Sequence, residues 1–290
     1  MRLSTFSIVA FDEETGDFGV AVQSKFLAVG AVVPHAAAGI GAIATQALAN
    51  VFFGPAGLDL LAADTGAIDT LEHLLAEDEG RDLRQVGIVD TDGTAAAFTG
   101  ERCMEWAGHL TGPGYACLGN LLTGDAVVEA MEEAFEQTEA ALADRLLAAL
   151  AAGQRAGGDR RGQQSAALVV VRENAGYGGM SDRLVDLRVD DHPTPIEEMQ
   201  RLYGLHQLYF GVTDPSRLLK IEGTLALEVQ RMLHTLGYYS GALTGIYDEA
   251  TRAALEHWHG VENFEERLWK DAFIDPEVLA FMREKHDTTQ

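Results

Sequence analysis

Residues 5–24, TFSIVAFDEETGDFGVAVQS, decide the fold. Two short runs rich in Val, Ile and Phe, residues 6–11 and 18–24, flank an acidic, glycine-bearing turn at 12–17, which is the pattern of a β-hairpin. Thr5 heads the first run. Two readings of it stand side by side: a β-branched residue that suits a strand start, or a hydroxyl nucleophile that acts once the residues before it are removed.

The same grammar recurs along the chain. Residues 86–100 (VGIVDTDGTAAAFTG) set Asp90, Thr91, Asp92 and Gly93 between a β-branched run and a run of small residues. Residues 165–191 hold a glycine-rich turn between runs 167–172 and 184–189, and residues 26–45 give a fourth pair of apolar runs interrupted by Pro34 and Gly39. Helical spacing covers 57–76 and a long Ala/Leu/Glu segment at 126–152, where Val127, Met131, Phe135, Thr138, Leu142, Leu146 and Leu150 share one face. Antiparallel hairpins with long helices between them predict an α+β plan rather than alternating βαβ units. Residues 152–165 (AGQRAGGDRRGQQS) are polar and glycine-rich, hence a loop, and the pattern changes at 211–217 (GVTDPSR). The expected division is a domain at 1–213 and a small helical domain at 214–290.

The chain has 290 residues, 47% of them hydrophobic, ample for a buried core. Its formal charge of −24 repels nucleic acid and anionic lipid, so neither is an expected partner. No window is long and uncharged enough to span a membrane, and the start lacks a charged head followed by an apolar block, which predicts a soluble cytoplasmic protein. Cys103 and Cys117 have no Cys or His at ligand spacing, and His257 and His259 would stand about 200° apart on a helix, so no metal is expected. GIGAIA at 39–44 fits a dinucleotide fingerprint in letters only, because a β-branched run rather than a helix opens there. No cofactor is expected.

TFSIVAFDEETGDFGVAVQSKFLAVGAVVP, GIGAIATQA, RQVGIVD, GNLL, GGDRRGQQSAAL and LVDLRVDDHPTPI, in that order, closely resemble the domain-of-unknown-function-1028 family, grouped with the N-terminal nucleophile (Ntn) hydrolases. The resemblance spans about the first 210 residues. It implies a four-layer αββα sandwich, two antiparallel sheets between helical layers. The tail, around LGYYSGALTGIYDEATRAAL, is similar to the peptidoglycan-binding-like extension found behind this domain, which implies a glycan or a peptide as partner of that region.

The resemblance also implies a chemistry. An Ntn hydrolase attacks with the hydroxyl or thiol of its first residue and uses that residue's own α-amine as base. An α-amine titrates at about 7.7–8.0, so much of it is neutral at working pH. Members often begin Met-Thr-Phe-Ser; here Arg2, Leu3 and Ser4 intervene, so Thr5 is expected to be freed by self-cleavage at Ser4–Thr5 or by trimming. Ser4 and Ser7 are rival hydroxyls, of which only Ser7 shares a strand face with Thr5.

Around the nucleophile the expected catalytic set is Thr5, Ser24, Lys25, Gln46 and Asn120: an ammonium to lower the nucleophile's pKa and amides to donate to an oxyanion. His35, where the family more often carries an aromatic, is placed on the substrate side rather than as a base. Arg160, Arg161 and Gln163 in the glycine-rich loop read either as a cradle for a substrate carboxylate or as a solvated loop. The expected activity is hydrolysis of a small amide or peptide-like C–N bond by a homo-oligomer; the alternative is a non-catalytic binding or assembly protein on the same scaffold.

Overall fold

The computed structural model describes residues 5–269 and 271–289. The chain divides into two compact units, Met1–Leu202 and Tyr203–Gln290. The division falls inside a helix, earlier than the change of sequence pattern at 211–217.

In the first unit β1 (Thr5–Asp12) and β2 (Asp17–Ser24) form the opening hairpin, followed by β3 (Pro34–Ala37) and β4 (Gly41–Ala47), α1 (Phe53–Ala62) and α2 (Ala67–Ala76). Next come β5 (Arg84–Asp90), β6 (Ala95–Thr99), β7 (Gly108–Gly112) and β8 (Tyr115–Asn120), then α3 (Ala126–Gln137) and α4 (Leu142–Arg155). β9 (Ser165–Val171) and β10 (Arg183–Val189) precede α5 (Pro195–Phe210), which runs across the division.

The strands form a six-stranded sheet, β10-β9-β2-β1-β8-β7, and a four-stranded sheet, β3-β4-β5-β6, with every neighbouring pair antiparallel. β1 and β8 of the larger sheet pack on β4 and β5 of the smaller; α3 and α4 cover the larger sheet's other face, and α1 and α2 that of the smaller. The unit is therefore α+β with its layers in the order helices, sheet, sheet, helices. Strand alternation builds these layers. Val9, Phe18, Val20, Val22, Leu118 and Val169 point between the sheets, whereas Ile43, Val86 and Ile88 pack against α1 and α2.

The expected hairpins are present, and four local features differ from the sequence reading. Residues 57–76 are two helices, because Asp64 takes a left-handed backbone (φ 60) and ends the first. The segment 126–152 is also two, because Thr138 leaves the helical region and returns its hydroxyl to the Ala134 carbonyl at 2.6 Å. The hairpin β7–β8 stands outside the pattern of β-branched runs read from the sequence. Its turn is Pro113-Gly114 with Gly114 at φ 74, the combination a type II turn demands. Pro34 begins β3 rather than interrupting a run; β3 is an edge strand, where proline is tolerated.

The second unit holds β11 (Leu219–Lys220), α6 (Thr224–Thr235), α7 (Glu249–Val261), β12 (Phe273–Ile274) and α8 (Pro276–Thr289). Trp258 and Phe264 stack at its centre with ring centroids 5.7 Å apart, among Val229, Leu233, Leu255 and Leu279. A buried Arg267–Asp275 pair (2.7 Å) closes one side, with Arg267 also donating to the Gln207 and Leu208 carbonyls. Among the described residues no helix is long and apolar enough to cross a membrane.

Candidate active site at the head of the central strand

β1 lies between β2 and β8, and Thr5 is its first residue. Register places Thr5 opposite Ser24 on one side and Asn120 on the other, with Ser165 opposite Ser24 one strand further out. All four are buried and, by alternation, share the face that looks at the smaller sheet. The space between the sheets is thus apolar along most of its length and polar at the end where β1 begins.

From the smaller sheet Gln46 and Gln85, cross-strand partners on β4 and β5, reach into the same end. Thr5 Oγ1 donates to Ser24 Oγ at 3.2 Å. Ser7 Oγ donates to Gln46 Oε1 at 2.6 Å, while Gln46 Nε2 donates to Gln85 Oε1 at 2.8 Å and more distantly to the Thr5 carbonyl at 3.4 Å. Asn120 Nδ2 donates to the same Gln85 oxygen at 3.0 Å. Gln85 Nε2 faces Thr99 Oγ1, the Gly108 carbonyl and the Gly119 carbonyl at 2.8–3.0 Å. Thr99 Oγ1, which accepts from Gln85, also pairs with His109 Nδ1 at 2.8 Å, and burial holds the His109 pKa below its ordinary value.

Buried amides cost free energy unless their polar atoms are paired. Here the pairing runs from sheet to sheet, so the network also fixes where the Thr5 hydroxyl stands. The residues that follow two of these amides, Ala47 (φ 65) and Leu121 (φ 52), carry left-handed backbone, so both strands turn away directly after presenting their amide.

The loop at 156–164 ties the ends of the flanking strands. Asp159 is 3% exposed; its carboxylate accepts from the Lys25 amide (3.0 Å), directly after Ser24, and from the Arg161 amide (2.8 Å) and guanidinium (2.9 Å). Gly157 and Gly158 have positive φ, and the Gly158 carbonyl accepts from the Thr123 amide. The Arg160 amide donates to the Leu121 carbonyl and its guanidinium to the Leu122 carbonyl at 3.2 Å, just past Asn120. The loop thereby braces Ser24 and Asn120 on either side of Thr5.

Of the residues singled out from sequence, Thr5, Ser24, Gln46 and Asn120 come together. Lys25 is exposed, and its ammonium donates to the Gln163 carbonyl at 3.2 Å rather than to Thr5. His35 pairs with Ile43 across β3 and β4, so it faces α1, with its ring against Gly54; it stands on the far side of the smaller sheet from Gln46. Burial depresses its pKa. Arg161 is committed to Asp159, and Arg160 to a backbone carbonyl. Ser4 and the Ser4–Thr5 bond lie outside the described residues.

Gln85, Asp159, Ser165, Thr99 and His109 escaped the sequence reading. A glutamine at the head of the apolar run VGIVD was the available signal for Gln85. None of the others carried one beyond a polar letter beside a strand. The GIGAIA stretch forms the turn and start of β4, with no helix opening at its glycines, so no dinucleotide loop exists there.

A narrow crevice of only about 10 Å³ adjoins Asn120, lined by Ala47, Leu48, Leu83, Arg102, Cys103 and Met104. Burial raises the Cys103 thiol pKa, which keeps it protonated beside the crevice.

Comparison with known proteins agrees with this architecture. Residues 209–282 match a family described as "Putative peptidoglycan binding domain". No curated protein matches the chain. The crystal structure of protein SPO2555 from Silicibacter pomeroyi, described as DUF1028, is 35% identical with a TM-score of 0.65, covering 70% of this chain and 89% of that one. Residues 5–199 match the model described as "Family of unknown function (DUF1028)", and the chain belongs to that family.

Proposed function

We propose that the first unit is an Ntn-type amidohydrolase that cleaves a small amide or peptide-like C–N bond with Thr5 as nucleophile. The observation that carries this reading is the Thr5 hydroxyl itself, at the head of the central strand of a helix–sheet–sheet–helix sandwich and hydrogen-bonded to Ser24 inside a buried polar cluster. Once Met1–Ser4 are removed, the Thr5 nitrogen becomes an amine beside that hydroxyl. The amine takes the hydroxyl proton as Oγ1 attacks the substrate carbonyl. The tetrahedral adduct then expels its nitrogen, which leaves with the proton returned by the ammonium, and an ester on Thr5 remains. Water, deprotonated by the same amine, attacks the ester and restores the threonine.

In this scheme Ser24 Oγ, now an acceptor from Thr5, reverses to donate as negative charge develops, and Asn120 supplies an amide donor for the oxyanion. Gln46 and Gln85 orient these groups. Asp159 acts through the loop as a positioning residue. The similarity of residues 209–282 to a putative peptidoglycan-binding domain supports a glycan-holding role for the second unit.

A second reading, a binding or assembly protein, is favoured by one observation: the Ser7–Gln46–Gln85–Asn120 network is closed and satisfied, as a purely structural tie would be. A chain produced with Thr5 as its first residue separates the two. On a panel of small amides it is expected to hydrolyse at least one member, and Thr5→Ala to lose that activity. A Thr5-initiated chain inert towards the whole panel, or a Thr5→Ala chain as active as its parent, selects the binding reading.

A further inference from the structure

The second unit carries a feature that its helical core does not need. A groove of about 640 Å³ runs between α6 and α8, with Met232, Leu243 and Thr235 among its lining residues. Each helix presents an arginine and, three residues later, a histidine into it: Arg231 and His234 from α6, Arg283 and His286 from α8. Two acids share the groove, Glu228 and Asp287.

Both acids are already engaged. Glu228 holds Arg283 through two contacts, 2.7 and 3.1 Å, which depress the carboxyl's pKa, and Asp287 accepts from His286 at 3.1 Å. Arg283 still has N–H donors on its remaining nitrogen. Among the described Arg and Lys residues of this unit, Arg217, Lys220, Arg252, Arg267, Arg283 and Lys285 all have a carboxylate within 4.0 Å. Arg231 has none, although the whole chain carries 45 acidic against 21 basic residues. An unpaired guanidinium held in a groove of so acidic a protein is a selective place for an anion.

With both histidines neutral the groove balances two positive charges against two negative ones. Protonating His234 and His286 leaves it with a net charge of about +2.

We infer that this groove is an oxyanion site for a small carboxylate- or phosphate-bearing ligand, centred on Arg231 and strengthened when His234 and His286 are protonated. Arg231 supplies a bidentate fork for the oxyanion, and the two imidazolium groups add attraction from both walls. At contact distances in water-like surroundings two such charges tighten binding about tenfold. The inference is independent of the Thr5 chemistry; the glycan reading of this unit guides only the choice of one probe.

The full chain is titrated with N-acetylmuramic acid, N-acetylglucosamine and inorganic phosphate at about pH 5.5 and about pH 8, following the ring NMR signals of His234 and His286. The two sugars differ by a lactyl carboxylate, so the acid is expected to shift both signals at the lower pH, bind about tenfold more weakly at the higher one, and leave N-acetylglucosamine inert. Phosphate binding without the sugar acid identifies a phosphate ligand at the same site, and the reverse a carboxylate. Arg231→Gln, an exposed change checked for retained fold by circular dichroism, is expected to lose at least about tenfold in affinity. Equal binding of both sugars, no binding of any probe, pH-independent binding, or an Arg231→Gln chain that binds like its parent overturns the inference.

Discussion

Each unit buries a cluster built on glutamine, and the two are built for different ends. In the second unit Gln230 is fully buried; it donates to Thr251 Oγ1 at 2.9 Å and to the Ile246 carbonyl at 3.0 Å, and accepts from the Gly245 amide at 2.9 Å. Its partners are one loop and the helix that follows, so the amide pins a turn and nothing more. In the first unit Gln46 and Gln85 are equally buried, yet their partners sit on different sheets and include the hydroxyl of Ser7, the carbonyl of Thr5 and the amide of Asn120. A buried amide that closes on a local loop is a staple. One that reaches across two sheets to a strand end carrying hydroxyls also sets their positions, the arrangement a preorganised site requires.

The sharpest way to break this contrast is to delete one glutamine from each cluster. Gln85→Ala takes one acceptor from the Gln46 and Asn120 amides and one donor from the Gly108 and Gly119 carbonyls, so denaturant unfolding of the first unit is expected to lose about 3–5 kcal/mol. The same change is expected to cut modification of Thr5 by an amide-directed electrophile more than about tenfold in a chain that begins at Thr5. Gln230→Ala is expected to cost its own unit about 2–3 kcal/mol while leaving Thr5 modification unchanged. A Gln230→Ala chain whose Thr5 reactivity fell equally would erase the distinction.

Asp159→Asn tests the loop that braces the strand ends. The amide side chain still accepts from the Lys25 amide, but a part-exposed Arg161 loses its counter-charge, and a loss of about 1–2 kcal/mol is expected. Thr5 modification should slow with it, by less than in Gln85→Ala.

The smallest effect is a pH dependence at His109. Its folded pKa lies below the ordinary 6.5 because burial disfavours the imidazolium. The neutral ring therefore contributes stability that is fully present above about 6.5 and is lost as pH falls through the folded value. Acid titration of the first unit should show this loss, and His109→Asn should flatten it.

Much of this architecture is written in local pattern. The acidic turn at 12–17 and the Asp-Thr-Asp-Gly turn at 90–93 sit between β-branched runs, and both hairpins form where that chemistry puts them. What is absent from local pattern is parity between distant strands. Gln46 and His35 lie in adjoining runs and look equally eligible for a site, but register sends Gln46 towards Thr5 and His35 towards α1. Asp159 presents the same difficulty: the letters GGDRRGQ suggest arginines free for an anion, whereas the fold turns the carboxylate inward and spends Arg161 upon it. The split at Thr138 shows a third limit, since a continuous apolar face at 126–152 is equally consistent with one helix or with two that pack side by side.

The central claim is that the Thr5 hydroxyl is activated by the Thr5 amine, and the pH profile of electrophile labelling in a chain beginning at Thr5 tests it most directly. The account predicts a single adduct on Thr5, formed with a midpoint near the ordinary α-amine range of about 7.7–8.0, and absent both from Thr5→Ala and from a chain that retains Met1–Ser4. Labelling of the chain that keeps those four residues, or an adduct that survives Thr5→Ala, would contradict it.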